Sequence, residues 1–228
     1  MAKRAGADVV KFQCYFGTQP KYKDYEFTAM QWFDLDDYCK RKNIAWFATP
    51  FDYEAITFLR GLGMKRWKVA SGFASNEKFM RKIREASDSI NGEVILSTGM
   101  CFMIEVERAV RILNPKYVLQ CTSLYPCPPE QTNLAVLRNP WFNGFSSHTR
   151  DIHIVISAIA LGAQYVEVHV HSQLCEDCPD HAVSLRPDEL ARFVRQAREV
   201  EAAMGSTQKH VTAGEGEVRA EIRERCSV

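Results

Sequence analysis

Seven short runs of β-branched and aromatic residues punctuate the chain, beginning at Val9 (VVKFQ), Ile44 (IAWFATP), Trp67 (WKVAS), Val94 (VILSTG), Tyr117 (YVLQCTS), Phe142 (FNGFSSH) and Tyr165 (YVEVHV). Each is entered from a turn and followed by a helix-like segment. Their starts lie 35, 23, 27, 23, 25 and 23 residues apart. Near-continuous apolar strands that alternate with helices predict parallel pairing with both faces of the sheet covered, and a period near 25 residues is that of a βα unit.

Helix punctuation keeps the same register. Thr28 with Gln31 forms a capping-box pattern ahead of a helix that ends near Asn43, and Asp52 is placed to cap the next, which stops at Gly61 or Gly63. Asn114-Pro115 closes the helix after Met103, Gly162 closes the one after Asp151, and Ser184 with Pro187 opens the last, which ends at Gly205. No linker divides the chain. The reading is one domain over 1–205, a (β/α) barrel or an open doubly wound sheet, followed by a polar tail from 206 to 228 that looks like a linker remnant.

Composition narrows the function classes. At 228 residues, 46% hydrophobic and 25% charged, the chain has material for a sizeable core. A formal net charge of +1 provides no global field toward nucleic acid or an anionic membrane, so any anion must be held locally. The longest apolar stretch, Ile154 to Ala163, is far short of the roughly 20 residues of a membrane span, and the N-terminus lacks a leader pattern. Eight cysteines are scattered, several inside apolar runs, as reduced core thiols are. The expected compartment is the cytoplasm.

The strand ends carry the chemistry. Polar residues gather there: Lys11 and Gln13, Thr49, Lys68 and Ser71, Ser97 and Thr98, Thr122 and Ser123, Ser146 to His148, and Glu167 with His169. No G-x-G-x-x-G or P-loop is present among them. Polar groups at every C-terminal strand end imply one shared mouth, where a barrel keeps its site. Lys11 and Lys68 each interrupt an apolar strand, which is costly without an anionic partner. Either they pair with structural carboxylates, or with the hydroxyls of Ser71, Ser97, Thr98, Ser123 and Ser146 they cradle a phosphate and a carboxylate. The two-lysine set with its hydroxyls favours the anion site. His148 and His169, on neighbouring strands, suit a divalent transition metal with open positions, although a structural role for two histidines stays open. His171 is a third ligand or lies past the strand end. Cys175-x-x-Cys178 followed by His181 is half a zinc pattern without a second pair, and two reduced loop thiols fit it better.

In order and spacing, AGADVVKFQ, ATPFD, WKVASG, ILSTGM, QCTSLYPCPPEQTNL, FSSHT, ALGAQYVEVH and PDHAVSLRPDEL resemble the sialic acid synthase family, with its pseudaminate and legionaminate relatives. The resemblance covers nearly the whole chain. It implies a TIM-type barrel, here incomplete with seven strands, lacking the first βα unit and its glutamate and the C-terminal antifreeze-like domain. It also implies a homodimer. The implied reaction joins phosphoenolpyruvate to an N-acetylated amino sugar with a divalent metal, Mn²⁺ or similar. Residue by residue, Lys11 and Lys68 look like the phosphoenolpyruvate lysines, with Gln13, Ser71, Ser97, Thr98, Ser123, Ser146 and Glu167 around the substrate. His148 and His169 look like the metal ligands, and Tyr125 and Asp180 like residues that contact the sugar. One departure stands out: Phe73 occupies a position where the family commonly has an acid. That change and the missing glutamate leave open a second reading, an impaired homologue that keeps the anion site as a binding or regulatory subunit.

Overall fold

The computed structural model describes residues 1–17, 20–172, 178 and 180–226. Seven strands, β1 (Val9–Cys14), β2 (Ala45–Pro50), β3 (Arg66–Val69), β4 (Glu93–Ser97), β5 (Tyr117–Cys121), β6 (Gly144–Ser146) and β7 (Tyr165–Glu167), form one parallel sheet in sequence order. Each starts within two residues of its apolar run. The helices are α1 (Ala2–Ala5), α2 (Ala29–Arg41), α3 (Tyr53–Gly61), α4 (Glu77–Asp88), α5 (Met103–Leu113), α6 (Ile152–Ala160), α7 (Pro187–Met204) and α8 (Ala213–Arg225). The sheet is curled, as an incomplete TIM-type barrel is.

The expected caps form. Thr28 Oγ1 accepts from Gln31 N–H at 3.3 Å while Gln31 Oε1 accepts from Thr28 N–H at 2.8 Å. Asp52 accepts from Ala55 N–H at 2.6 Å and from Phe16 N–H at 2.7 Å, so one carboxylate starts α3 and also ties down the loop after β1. Asn114 ends α5 in the left-handed region at φ 42°, where an Asn side chain tolerates the geometry better than most.

Register decides what the barrel contains. Lys11 pairs with Phe47, Gln13 with Thr49, Lys68 with Ile95, Ser97 with Leu119, Cys121 with Ser146 and Ser146 with Glu167. Partners in a parallel ladder share a face, so all of these point inward, and alternation sends Trp67, Val69, Val94 and Leu96 outward under the helices. Those four are at most 1% exposed, packed in one continuous core with Leu59, Phe79 and Ile83. At Gly144 the interior is tight: an added Cβ would lie 2.3 Å from Leu119 Cδ2 and 2.7 Å from the Tyr165 carbonyl.

Between β1 and β7 lies a seam, a cleft of about 470 Å³ lined by both strands and by α7. It is bridged on its inner side by Lys11 and Glu167, and on its outer side by Arg198 of α7, which grips Asp8 at 2.6 and 2.7 Å. The segment from 206 onward carries one helix, α8. Thr212 and Glu215 build a capping box at the start of α8, and every side chain of that helix is exposed. The T-x-x-E signal was present in the sequence. No helix among the described residues is long and apolar enough to cross a membrane.

Candidate active site

Three charges meet at the centre of the barrel. Glu167 Oε1 lies 3.1 Å from Lys11 Nζ, and Glu167 Oε2 lies 3.3 Å from Lys68 Nζ. Ser146 Oγ donates to the same carboxylate at 3.2 Å. Lys68 is 3% exposed and Glu167 9%. Burial alone would raise the Glu167 pKa, but the two ammonium groups overcome it and hold the carboxyl below the usual range. Burial and the charge of Lys11 press the Lys68 ammonium the other way, below its ordinary value, against the pull of Glu167. Two lysines therefore converge on a single carboxylate. The lysines thus share a carboxylate, Glu167, as the structural alternative of the sequence reading has it.

The hydroxyls converge beside this centre. Ser71 Oγ accepts from Gly99 N–H at 3.0 Å and donates to Cys121 Sγ at 3.8 Å. A Cβ on Gly99 would come within 2.2 Å of Ser123 Oγ and 2.9 Å of Ser71 Oγ, so the glycine is what lets the loops after β3, β4 and β5 close on one spot. Ser97 Oγ and Thr49 Oγ1 are buried without a hydrogen-bond partner among the described residues. A buried hydroxyl left unpaired is unfavourable, and two of them facing inward near the lysines mark a place for ligand oxygens or water. Thr98 differs. Its hydroxyl is committed to the Leu119 carbonyl at 2.9 Å, where it extends the β4–β5 ladder. Gln13 stands beside Thr49 in register with its side chain exposed.

Across the mouth are the imidazoles. His148 Nδ1–H donates to the Thr122 carbonyl at 2.6 Å, which leaves Nε2 as the acceptor for Tyr125 Oη–H at 2.8 Å. Burial lowers the His148 pKa to about 4, so the ring is neutral near pH 7. The His169 ring stands edge-on to it with centroids 5.4 Å apart, and its Nδ1 faces Asp180 Oδ2 at 3.4 Å. That hydrogen bond, working against burial, lowers the Asp180 pKa. The His171 ring meets that of His181 at a tilt, with centroids 4.3 Å apart, and its Nδ1 is on the Ser172 carbonyl. Cys178 is a half-buried thiol, and Cys175 lies outside the described residues.

The NeuB family model matches residues 18–209, most of the chain. The chain belongs to the NeuB family. It is 33% identical to the N,N'-diacetyllegionaminic acid synthase of Campylobacter jejuni, over 94% of this chain and 74% of that protein. It is also 33% identical to the human N-acetylneuraminate-9-phosphate synthase, over 92% of this chain and 67% of that protein. Its structure superposes on the N-acetylneuraminic acid (sialic acid) synthetase of Leptospira borgpetersenii with a TM-score of 0.87 at 30% identity, covering all of this chain and 84% of that one.

Within this NeuB member, the imidazoles of His148 and His169 form the metal-type donor set. Among the described residues no three His, Cys, Asp or Glu side chains gather around one point. His148 Nε2, the acceptor nitrogen of a ring whose Nδ1 is anchored to a carbonyl, fits that role once Tyr125 Oη gives way, and Asp180 beside His169 is the kind of carboxylate that orients a ligating ring. Phe73 does not reach into this polar half. Its ring stacks on Phe79 at 4.1 Å and meets the edge of Phe51 at 5.8 Å. Contacts made by Gly99, Cys121 and the Thr122 carbonyl escaped the sequence reading. Gly99 ends the ILSTG block and was the one legible signal.

Proposed function

We propose that this chain condenses phosphoenolpyruvate with an N-acetylated amino sugar of the N-acetylmannosamine type, giving a nonulosonic acid and inorganic phosphate. The observation that carries this reading is the Lys11–Glu167–Lys68 centre, two lysines on one carboxylate, set beside unpaired hydroxyls and across from two imidazoles. Lys11 and Lys68 hold the phosphate and carboxylate of phosphoenolpyruvate, and Ser71, Ser97 and Ser123 supply short donors to the same oxygens. Glu167 and Ser146 keep the ammonium groups aimed while the ligand is absent.

The acceptor enters in its open-chain form, with its aldehyde at the imidazole side. C3 of phosphoenolpyruvate attacks the aldehyde carbon and forms the new carbon–carbon bond while the carbonyl π pair moves to the aldehyde oxygen, which takes up a proton and becomes a hydroxyl, and positive charge develops at C2. Water adds to C2 and gives up a proton, and the resulting tetrahedral centre breaks its C2–O bond to phosphate, leaving a ketone at C2 and inorganic phosphate. Holding both reactants in one mouth turns the bimolecular step into a positioned one. A divalent ion such as Mn²⁺, held by His148 and His169, would supply Lewis acidity at the aldehyde oxygen. Tyr125, hydrogen-bonded to His148, borders the acceptor, and Asp180 keeps His169 oriented.

The test is phosphate release from phosphoenolpyruvate with N-acetylmannosamine and Mn²⁺, expected to exceed a no-sugar control and to vanish in His148→Ala and His169→Ala. No release with any of several acceptor sugars would overturn the reading. Phe73, which puts a hydrocarbon ring where relatives of the resembled type have an acid, favours a second reading, a homologue that binds phosphoenolpyruvate without turning it over. Binding without release would select it.

A further inference from the structure

One loop serves both nitrogens of His148. In the segment that follows β5, the Thr122 carbonyl accepts from Nδ1–H at 2.6 Å and the Tyr125 hydroxyl donates to Nε2 at 2.8 Å. The first contact leaves the ring able to bind a cation. The second does not, because Nε2 has one lone pair and the Tyr125 proton holds it. The Tyr125 ring also lies against the imidazole, with centroids 4.0 Å apart and planes 28° from parallel, and meets the His169 ring at a near right angle 5.9 Å away. Backbone anchors flank it on both sides: Cys127 N–H donates to the His148 carbonyl at 2.8 Å, and Thr122 Oγ1 donates to the Gln131 carbonyl at 2.8 Å. Tyr125 itself is 49% exposed, so its side chain can change rotamer toward solvent while both anchors stay in place.

We propose that Tyr125 is a latch on the metal position: its hydroxyl occupies His148 Nε2, a divalent ion reaches that nitrogen only by displacing it, and Tyr125 thereby sets how tightly the ion is held. This inference rests on the reading of His148 and His169 as the metal ligands. Opening the latch gives up one hydrogen bond, so removing the hydroxyl beforehand should tighten ion binding by about tenfold. Tyr125 borders the acceptor in the reaction above, and the hydroxyl released from His148 becomes a donor for a sugar oxygen. The same side chain thus has one partner before loading and another after it. If Tyr125 were instead a ligand of the ion, its removal would act in the opposite sense and weaken binding.

The experiment titrates Mn²⁺ alone into the full chain by calorimetry, native and Tyr125→Phe, with neither sugar nor phosphoenolpyruvate present. Phenylalanine keeps the stacked ring and removes only the donor. The variant is expected to bind Mn²⁺ about tenfold tighter. Adding His148→Ala to either form should abolish binding, which assigns the ion to this nitrogen. In the near ultraviolet, Mn²⁺ should produce a tyrosine difference spectrum in the native chain that Tyr125→Phe lacks. Binding of inorganic phosphate to the same variants reports an intact lysine centre. Affinities equal within about twofold, weaker binding in Tyr125→Phe, or no tyrosine signal in the native chain would each overturn the latch and leave the metal reading standing. No Mn²⁺ binding to either form, or binding that survives His148→Ala, would sink the metal reading and the latch with it.

Discussion

Replacing Glu167 with glutamine exchanges a carboxylate for a neutral amide of nearly the same shape, so the change removes charge and little else. In the native chain this group faces Lys11 at 3.1 Å and Lys68 at 3.3 Å. At an effective dielectric constant of about 20, each contact is worth roughly 5 kcal/mol of gross attraction. Most of that is offset by the cost of keeping three charges out of water, but the cost remains when the partner is lost. The expected loss on breaking such a buried group is therefore about 3–5 kcal/mol. Urea denaturation at pH 7 reads this directly. The pH dependence gives a second, independent check. The pKa of Glu167 is depressed in the fold, so its stabilisation is fully present above its unfolded value of about 4.3 and drains away as pH falls through the lower folded value. The gap between native chain and variant should therefore narrow on acidification. Lys68, whose ammonium burial already disfavours, loses its anion in the variant, so the variant should regain stability at alkaline pH as that ammonium deprotonates. Inorganic phosphate, a substitute counter-charge, should raise the variant's melting temperature more than the native chain's. A loss below about 1 kcal/mol, or a gap that stays constant from pH 7 to pH 3 (scale set by the carboxylate reference), would refute the account of a charged, coupled centre.

Gly99→Ala should weaken phosphoenolpyruvate binding by about tenfold or more, because the new methyl meets Ser123 Oγ at 2.2 Å and displaces a hydroxyl of the cradle; isothermal calorimetry measures it. Gly144→Ala should act on stability, by about 1–3 kcal/mol, since the methyl is wedged against Leu119 and the Tyr165 carbonyl inside the barrel; denaturant midpoints at constant slope would show it. Treatment with EDTA should abolish phosphate release and Mn²⁺ should restore it, while phosphate still raises the melting temperature through the lysines. A melting shift that also disappears would tie anion binding to the metal instead. Tyr125→Phe removes the hydroxyl that donates to His148 Nε2 at 2.8 Å, and should alter KM for the sugar more than for phosphoenolpyruvate in steady-state kinetics.

Much of this molecule is written in short-range signals. The strand starts, the Thr28 and Asp52 caps, the left-handed ending at Asn114 and the inward lysines all follow from patterns within a few residues. The T-x-x-E box at Thr212 belongs with them, although the polar composition around it masked the helix. Roles that depend on partners distant in sequence were not legible. Glu167 alternates correctly onto the inner face, but nothing local says that it serves Lys68, 99 residues away, as a counter-ion. Thr98 and Ser97 are neighbours of equal chemistry. Only the ladder shows that the first spends its hydroxyl on Leu119 while the second keeps its own unpaired.

By itself the sequence determined the alternation of strand and helix, the inward placement of two lysines and the two imidazoles of the mouth, because periodicity and propensity act over a turn or a pleat. The tertiary structure alone decided which charges neutralise one another, which hydroxyls remain open to a ligand, and that Phe73 joins an aromatic wall with Phe51 and Phe79 instead of facing the histidines. Those outcomes depend on how closely separate strands approach. That distance is set by packing of the whole barrel, down to the absence of a Cβ at Gly99 and Gly144.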